Sequence, residues 1–357
     1  MLNQPSGVQF LLDHNAAQSA DFTNPKEVER RQSYVHQHPT SFHVLKCMDG
    51  RCDMAQVTET PAGTITPWRN LGGMFHLGWP TFQQQLLRAL KVAKQEEMPV
   101  AIIVTYHFSA SQPHLGCKGW GYDTEAAKAY TQKFQAKATT FFNNGVPVIV
   151  MGLETDRQAL LVEGWNGETL DIRESLGLSE QELATKLTTM FPGCDPRVLR
   201  DLVPLLAGNS RHVTEVQNQQ LTPEDVDHQE WTLAIGRGFD WLHLYNVAII
   251  IGPFDVDISK PLRIGAGLLA ENVTSGRVDP NKHGLVVMSA SPTWRRQGTT
   301  DWSGAETKAA FFAAKTMRLI QEEYKEIAEY AYPLVGVVDM HTRLFHRQEF
   351  DSEADQL

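Results

Sequence analysis

The feature that most constrains this chain is the alternation of short apolar segments with amphipathic segments in its first half. Apolar runs at residues 42–46, 98–106 and 146–151 have the length and the β-branched content of buried strands. Between them, residues 81–97 and 124–142 place apolar side chains at helical spacing. Because parallel strands need crossover connections, this order predicts an α/β fold with a mainly parallel central sheet flanked by helices.

Residue types that bind metals stand after two of these predicted strands. Cys47 ends the first apolar run, and Asp49 and Arg51 follow at alternate positions. His114 and Cys117 lie in the polar loop after the second run. Since ligands bind at the carboxyl ends of parallel strands, we expect these side chains to come together. Two thiolates and one imidazole form a three-ligand zinc set with an open position, which is typical of a catalytic site.

Three motifs in this region resemble those of one enzyme family. The β-class carbonic anhydrases carry Cys-x-Asp-x-Arg at a strand end, an Arg-Asn-x-Gly loop, and His-x-x-Cys after a later strand. This chain has the three motifs in the same order, at residues 47–51, 69–72 and 114–117. The resemblance implies the fold of that family.

The resemblance also implies a zinc enzyme. Cys47, His114 and Cys117 would bind Zn2+, and Arg51 would hold Asp49 away from the metal in a catalytic dyad. The implied reaction is the reversible hydration of CO2 to bicarbonate by a zinc-bound hydroxide. Two alternatives stay open: a related zinc hydrolase that acts on carbonyl sulfide or carbon disulfide, and a non-catalytic zinc- or bicarbonate-binding protein with the same fold.

One predicted ligand has a competitor in the sequence. His107 directly follows the strand segment, where the family usually places its histidine ligand, whereas His114 comes seven residues later. We favour His114 because only His114 keeps the short spacing to Cys117, and we retain His107 as the alternative. The loop that precedes His114 then contains an insertion relative to the family.

The last third of the chain repeats the pattern of the first without its metal ligands. Residues 246–251 take the place of the first strand, but Gly252 follows where the first copy has a cysteine. We therefore predict a zinc-binding domain at 1–165, a helical connector at 166–245 and a degenerate second copy at 246–357. Because family members are dimers, the resemblance implies an internal pseudo-dimer with one site per chain, and a homo-oligomer remains open.

Three helix starts are predicted inside the connector. Ser179 and Glu182 form a capping-box pattern, and Asp195 precedes a proline at the first helical position. Thr222, which also precedes a proline, predicts a third start.

Composition argues against several other classes of protein. The formal net charge of -10 and the pI near 5.7 are unlike those of a nucleic-acid-binding surface, which requires a basic face. The sequence shows neither an apolar run of membrane-spanning length nor a signal-peptide pattern. Four scattered cysteines do not form a disulfide scaffold. We therefore expect a cytoplasmic protein whose partners are CO2 and bicarbonate rather than a nucleic acid or a membrane.

Overall fold

The computed structural model describes residues 4–219, 227–242 and 244–356. The chain divides into two compact units. We name the first, Glu29–Asp227 with Phe254–Val256, the cysteine unit; the second, the duplicate unit, comprises Met1–Val28, His228–Pro253 and Asp257–Leu357. The division therefore falls at other residues than those predicted from the sequence: residues 166–227 of the predicted connector are grouped with the cysteine unit, and residues 228–245 with the duplicate unit.

The helices and strands are numbered in chain order over the described residues. The strands are β1 Ser41–Cys47, β2 Ile65–Asn70, β3 Val100–Phe108, β4 Val148–Glu154, β5 Ala159–Glu163, β6 Thr169–Asp171, β7 Thr232–Gly236, β8 Ala248–Ile251, β9 Leu285–Thr293, β10 Ala331–Asp339 and β11 Phe345–Gln348. The helices are α1 Ser6–Thr23, α2 Pro25–Gln37, α3 Met54–Val57, α4 Pro80–Gln95, α5 Thr124–Phe141, α6 Glu180–Met190, α7 Pro196–Asn218, α8 Ser259–Thr274, α9 Pro280–His283, α10 Thr300–Glu323 and α11 Lys325–Ala328.

The cysteine unit is built on a six-stranded sheet in the order β2-β1-β3-β4-β5-β6. Strands β1 to β4 pair in parallel, and β5 and β6 extend the sheet in antiparallel fashion. Helix α4 connects β2 to β3 and α5 leads to β4, as the alternation of segments predicts. The predicted α/β class with a mainly parallel sheet is therefore confirmed. The main core on this sheet comprises Leu45, Trp68, Phe75, Phe82, Leu86, Leu90, Ile102, Val104, Phe134, Ala138, Val148 and Phe254.

The duplicate unit repeats this topology. Its five-stranded sheet has the order β8-β7-β9-β10-β11, in which the first four strands are parallel and β11 is antiparallel. The strand order matches that of the first five strands of the other sheet, which confirms the predicted internal duplication at the level of topology. One correction follows: the counterpart of β1 is β7, inside the predicted connector, and residues 248–251 form the counterpart of β2.

Strand pairing fixes which residues of the two sheets correspond. Pro147 before β4 and Pro333 in β10 provide a common reference. In the cysteine unit the residue pairs lead from β4 across β3 to β1, and in the duplicate unit they lead from β10 across β9 to β7. When the two prolines are aligned, Leu45 of β1 and Gly236 of β7 occupy the same position. The equivalence allows the metal-site positions to be compared between the two units.

Helix α7 belongs to the cysteine unit because a buried side chain fixes it there. Asn209 is fully buried, and its amide nitrogen donates to the carbonyl oxygens of Val57 at 2.9 Å and Gln158 at 2.8 Å. Its amide oxygen accepts from the backbone N–H of Leu160 at 2.9 Å. One side chain thus satisfies three backbone groups that burial separates from water.

The helix starts predicted from the sequence can be compared at two places. Ser179 and Glu182 form the predicted capping box at the start of α6. Asp195 caps α7 by accepting a hydrogen bond from the backbone N–H of Arg197. The start predicted at Thr222 lies outside the described residues. No helix among the described residues combines the length and the apolar character that a membrane span requires.

A buried carboxylic acid at the end of β4 contacts the segment that precedes Cys117, residues 109–116. Glu154 is fully buried and accepts backbone hydrogen bonds from Asp156 at 3.1 Å and, more weakly, from Ala110 at 3.4 Å. Burial, and then repulsion from Asp156, raises the pKa of Glu154 from 4.5 to about 7. The acid therefore titrates close to neutral pH while it holds this segment.

Removal of the Asn209 carboxamide is expected to destabilise the protein. Asn209→Ala leaves three buried backbone groups without partners, so we expect the free energy of unfolding to fall by about 2–4 kcal/mol. Chemical denaturation followed by circular dichroism measures this change. Asn218→Ala, at the exposed end of the same helix, is the matched control and should stay within about 0.5 kcal/mol of wild type. Equal effects of the two substitutions would contradict the role assigned to Asn209.

Glu154 is expected to make stability depend on pH. Its pKa is 4.5 in the unfolded chain and about 7 in the folded one, so its contribution is fully present below 4.5 and lost as the pH rises through 7. The loss amounts to about 3 kcal/mol. Glu154→Gln removes this pH-dependent contribution to the free energy of unfolding. The stability advantage of wild type over the variant should therefore shrink between about pH 4.5 and about pH 8.

Denaturant titrations of both proteins across this pH range provide the measurement. Glu168→Gln, at an exposed position, is the control and should follow the wild-type pH dependence. A constant difference between wild type and Glu154→Gln at every pH would show that Glu154 does not titrate as stated.

Candidate metal centre

The site lies where two neighbouring strands of the cysteine unit separate. β1 pairs with β2 as far as Cys47, which lies opposite Asn70, but it pairs with β3 only as far as Leu45, opposite Val104. Beyond that point β1 follows β2 and leaves β3. The gap forms at the carboxyl ends of the parallel strands, where α/β sheets bind their ligands.

Two glycines allow the chain to turn beside this gap. Gly72 and Gly73 follow β2 with φ angles of 61° and 65°, in the left-handed region that favours glycine. A Cβ atom on Gly73 would lie 2.9 Å from the carbonyl oxygen of Thr105 in β3 and 3.5 Å from the backbone nitrogen of Cys47. The backbone therefore passes too close to β3 for a side chain at this position, and its positive φ angle disfavours one as well.

Three buried side chains meet in the gap. Cys47 ends β1, His107 lies near the end of β3, and Cys117 follows the loop after β3. Their ligand atoms all lie within 4.8 Å of one another, and the two sulfur atoms are 3.8 Å apart. Each residue is less than one-tenth exposed.

The geometry and the unmet hydrogen-bonding capacity of this group fit a zinc ion. Both ring nitrogens of His107 are buried and make no hydrogen bond among the described residues. A buried polar group without a partner is costly, and a metal ion would satisfy one of these nitrogens. Tetrahedral coordination at a Zn–S distance of about 2.3 Å places two sulfur ligands about 3.8 Å apart. The Cys47–Cys117 separation has this value.

The structure places His107, not His114, with the two thiols. His114 lies in the single helical turn Pro113–Leu115 and is exposed to solvent. In contrast, His107 is held in the ladder between β3 and β4 and is 3% exposed. The expectation for His114 relied on its short spacing to Cys117, but this turn points the two side chains to different environments. The alternative histidine therefore takes the position that we assigned to His114.

The predicted dyad is formed beside the cluster. Arg51 donates to both carboxylate oxygens of Asp49, from Nε at 3.0 Å and from a terminal nitrogen at 2.8 Å. The backbone N–H of Arg51 also donates to Asp49, which closes a tight turn after β1. Asp49 Oδ2 lies 3.8 Å from His107 Nε2. A fully buried guanidinium thus fixes a carboxylate next to the three candidate ligands.

The two thiols share their protons unequally. A hydrogen bond from Cys117 holds the pKa of Cys47 well below its usual value, against the opposing effect of burial. The same hydrogen bond, together with burial, raises the pKa of Cys117. A metal that binds both sulfurs displaces any thiol proton that the pair holds.

The neighbouring acidic groups raise the pKa of His107. Burial alone would lower the pKa of His107, but the neighbouring Cys52, Cys117, Cys47 and Asp49 together raise it well above its usual value. The negative field that favours an imidazolium here favours a bound cation for the same reason.

A buried lysine contacts the residues that follow the turn after β1. Lys46 donates to the carbonyl oxygen of Cys52 and lies 3.7 Å from Asp53, which caps α3. Burial lowers the pKa of Lys46 to about 8. Sequence reasoning missed this residue, although a lysine inside an apolar strand segment was a signal that could have found it.

The equivalent positions of the duplicate unit lack the ligands. From the strand equivalence, Gly238 stands where β1 and its continuation have Cys47, and Thr293 stands where β3 has His107. Across the described ranges of both units, the Cys47, His107 and Cys117 group is the one cluster with the geometry of a metal site.

Comparisons with known proteins identify relatives of the chain. No family model matches it. It is 24% identical over 256 residues to the carboxysome shell carbonic anhydrase of Prochlorococcus marinus (strain MIT 9313), a match that covers 62% of this chain and 50% of that protein. The corresponding protein of Hydrogenovibrio crunogenus is 25% identical over 392 residues, covering 92% of this chain and 69% of that protein. The chain spans about half the length of the first of these curated relatives.

Among solved structures, "The structure of the beta-carbonic anhydrase CcaA" matches 46% of this chain and 98% of that chain, at 13% identity and a TM-score of 0.32. The chain is thus similar to carboxysome shell carbonic anhydrases, at about one-quarter identity, and its Cys47, Asp49 and Arg51 motif resembles that of the β-class carbonic anhydrases.

Proposed function

We propose that the cysteine unit is a zinc-dependent carbonic anhydrase that interconverts CO2 and bicarbonate. The observation that carries this proposal is the position of the Asp49–Arg51 pair directly beside the buried Cys47, His107 and Cys117 group. Three ligands without a fourth protein ligand in the group leave an open position, as a catalytic zinc site requires.

The three ligands and their surroundings would determine the charge of the centre. Cys47 and Cys117 would bind as thiolates and His107 as a neutral imidazole, so the protein supplies two negative charges to balance a divalent cation. A zinc ion held there would supply the Lewis acidity that lets water ionise near neutral pH.

Asp49 would act as the hydrogen-bond acceptor beside the reacting water. Because Arg51 donates to both of its oxygens, the carboxylate is held in one orientation. Its remaining lone pairs can accept a hydrogen bond and thereby orient an O–H group at the open position. Arg51 also restrains the carboxylate from turning to become a ligand itself, which keeps the open position available.

The proposed reaction also suggests a compartment and a substrate. CO2 and bicarbonate are the small molecules that such a centre would exchange. Thiolate ligands require reduced cysteines, and the structure contains four buried thiols without a disulfide. We propose that the chain works in a reducing compartment, for which the cytoplasm is the candidate.

Zinc content should distinguish the two candidate histidines. His107→Ala removes one of three ligands, so we expect the zinc-to-protein ratio to fall from about one to well below one-half. Cys47→Ser should have the same effect. His114→Ala, at an exposed position, is the matched control and should retain about one equivalent. Metal analysis of the purified proteins provides the measurement, and loss of zinc in His114→Ala alone would contradict the assignment.

Hydration activity should depend on the Asp49 carboxylate. Asp49→Asn keeps the shape of the side chain but weakens its ability to accept a proton or a hydrogen bond, so we expect kcat/KM for CO2 hydration to fall by at least about a hundredfold. Stopped-flow measurement with a pH indicator tests this expectation, and zinc content should be unchanged. Asp13→Asn, at an exposed position far along the sequence, serves as the control. Wild-type protein that holds zinc but hydrates no CO2 would refute the proposed activity.

A further inference from the structure

A buried carboxamide next to the metal centre has one acceptor without a partner. Asn70, at the end of β2, is 0% exposed. Its amide nitrogen donates to the carbonyl oxygen of Met74 at 2.8 Å and to Oδ2 of Asp255 at 3.2 Å. Its oxygen, Oδ1, is buried and makes no hydrogen bond among the described residues.

The two partners determine the orientation of this carboxamide. Met74 and Asp255 both present oxygen atoms that only accept hydrogen bonds, so the amide nitrogen of Asn70 must face them. Each of its two hydrogens is used. The opposite atom is therefore the oxygen, and a rotation of the amide by 180° would bring this oxygen against two acceptors.

Strand pairing places Asn70 beside Cys47. Asn70 and Cys47 are direct partners in the parallel ladder of β2 and β1. Directly paired residues of neighbouring strands project to the same face of the sheet, with the strands about 4.8 Å apart. The Asn70 carboxamide thus lies on the same face as the Cys47 thiol and next to it.

Asp255 is held in place by the aromatic residue before it. Phe254 is 2% exposed and packs against Trp68, with ring centroids 5.1 Å apart, and against Phe75 at 6.1 Å. It belongs to the aromatic core of the cysteine unit. Asp255 is only partly buried, and the following Val256 is 69% exposed. The segment therefore contributes one buried anchor and one carboxylate directed at Asn70.

We propose that Asn70 Oδ1, fixed by Asp255, accepts a hydrogen bond from an O–H group bound at the open side of the metal centre. Asp255 is a positioning residue that acts through Asn70. The inference rests on the proposed function, because the donor is either the hydroxyl group of bicarbonate or water at the reacting position. CO2 itself has no hydrogen to donate, so this acceptor recognises the hydrated species rather than the gas.

The acceptor role follows from the chemistry of the pocket. A buried oxygen without a partner costs free energy, and a ligand with a hydroxyl group removes that cost when it binds. An anion without a hydrogen, such as thiocyanate, gains nothing from this oxygen. The two classes of anion should therefore respond differently when Asn70 loses its fixed orientation.

Anion binding to the cobalt-substituted protein tests the proposal. Co2+ replaces the native metal, and visible absorption follows titration with bicarbonate or with thiocyanate. For Asp255→Ala we expect the bicarbonate dissociation constant to rise about tenfold, because one hydrogen bond to the ligand is weakened. Thiocyanate binding should change less than about twofold, and Co2+ content should stay at one equivalent.

Two further variants separate positioning from general damage. Asp255→Asn keeps an oxygen that can accept from Asn70, so it should restore bicarbonate binding to within about threefold of wild type. Asp257→Ala removes an exposed carboxylate two residues along the chain and should bind both anions as wild type does. A loss of bicarbonate binding in Asp257→Ala equal to that in Asp255→Ala would overturn the proposal.

The outcome also identifies the donor. Selective loss of bicarbonate affinity supports its hydroxyl group as the donor. An equal change for both anions, together with a shift in the pH midpoint of the anion-free cobalt spectrum, supports water as the donor. Unchanged anion binding and an unchanged pH profile in Asp255→Ala, with the metal retained, overturn the proposal.

A measurement without metal keeps this inference distinct from the proposed function. In wild-type protein labelled with 15N at asparagine, the Asn70 amide hydrogens should exchange at least about tenfold more slowly than in Asp255→Ala, because both are hydrogen-bonded and buried. Equal exchange rates would refute the positioning role. A wild-type protein that binds neither metal nor bicarbonate would instead contradict the proposed function.

Discussion

The parallel pairing of β1 is the constraint on which the rest of the site depends. β1 has β2 on one side and β3 on the other, but it follows only β2 to its end. This separation brings the thiol of Cys47 to an edge where His107 and Cys117 can reach it. It also places Asn70 next to that thiol. The ligands, the dyad that follows β1 and the proposed acceptor are thus consequences of one strand that keeps one neighbour and leaves the other.

The sequence predicted the strands and the thiols because their signals are local. A buried parallel strand is a continuous apolar run, and such a run predicts where its carboxyl end lies. Cys47 and the Asp49–Arg51 pair follow that end within a few residues, so their proximity was predictable. The choice of His114 failed for a related reason. Short spacing to Cys117 does not by itself bring the two side chains together, because His114 lies exposed in the turn Pro113–Leu115 whereas Cys117 is buried.

Other features could not be predicted because they depend on contacts between distant parts of the chain. β7 is a strand of five residues inside a region whose neighbours are helical, and only its pairing with β8 and β9 identifies it. Asp255 lies 185 residues from Asn70 along the chain, and no motif connects them. The sequence showed a second copy without ligands, but it could not show which strand takes the place of β1.

The replacement of Cys47 by Gly238 and of His107 by Thr293 gives the two units different relations to metal supply. In the cysteine unit, a bound cation would stabilise the folded state in proportion to its concentration, because the unfolded chain lacks the assembled ligands. The described residues of the duplicate unit contain no such group. If the proposed centre holds zinc, depletion of the metal would therefore lower the stability of the cysteine unit. The supply of a single metal would then change the stability of one part of the chain through a site that the described residues of the other part do not form.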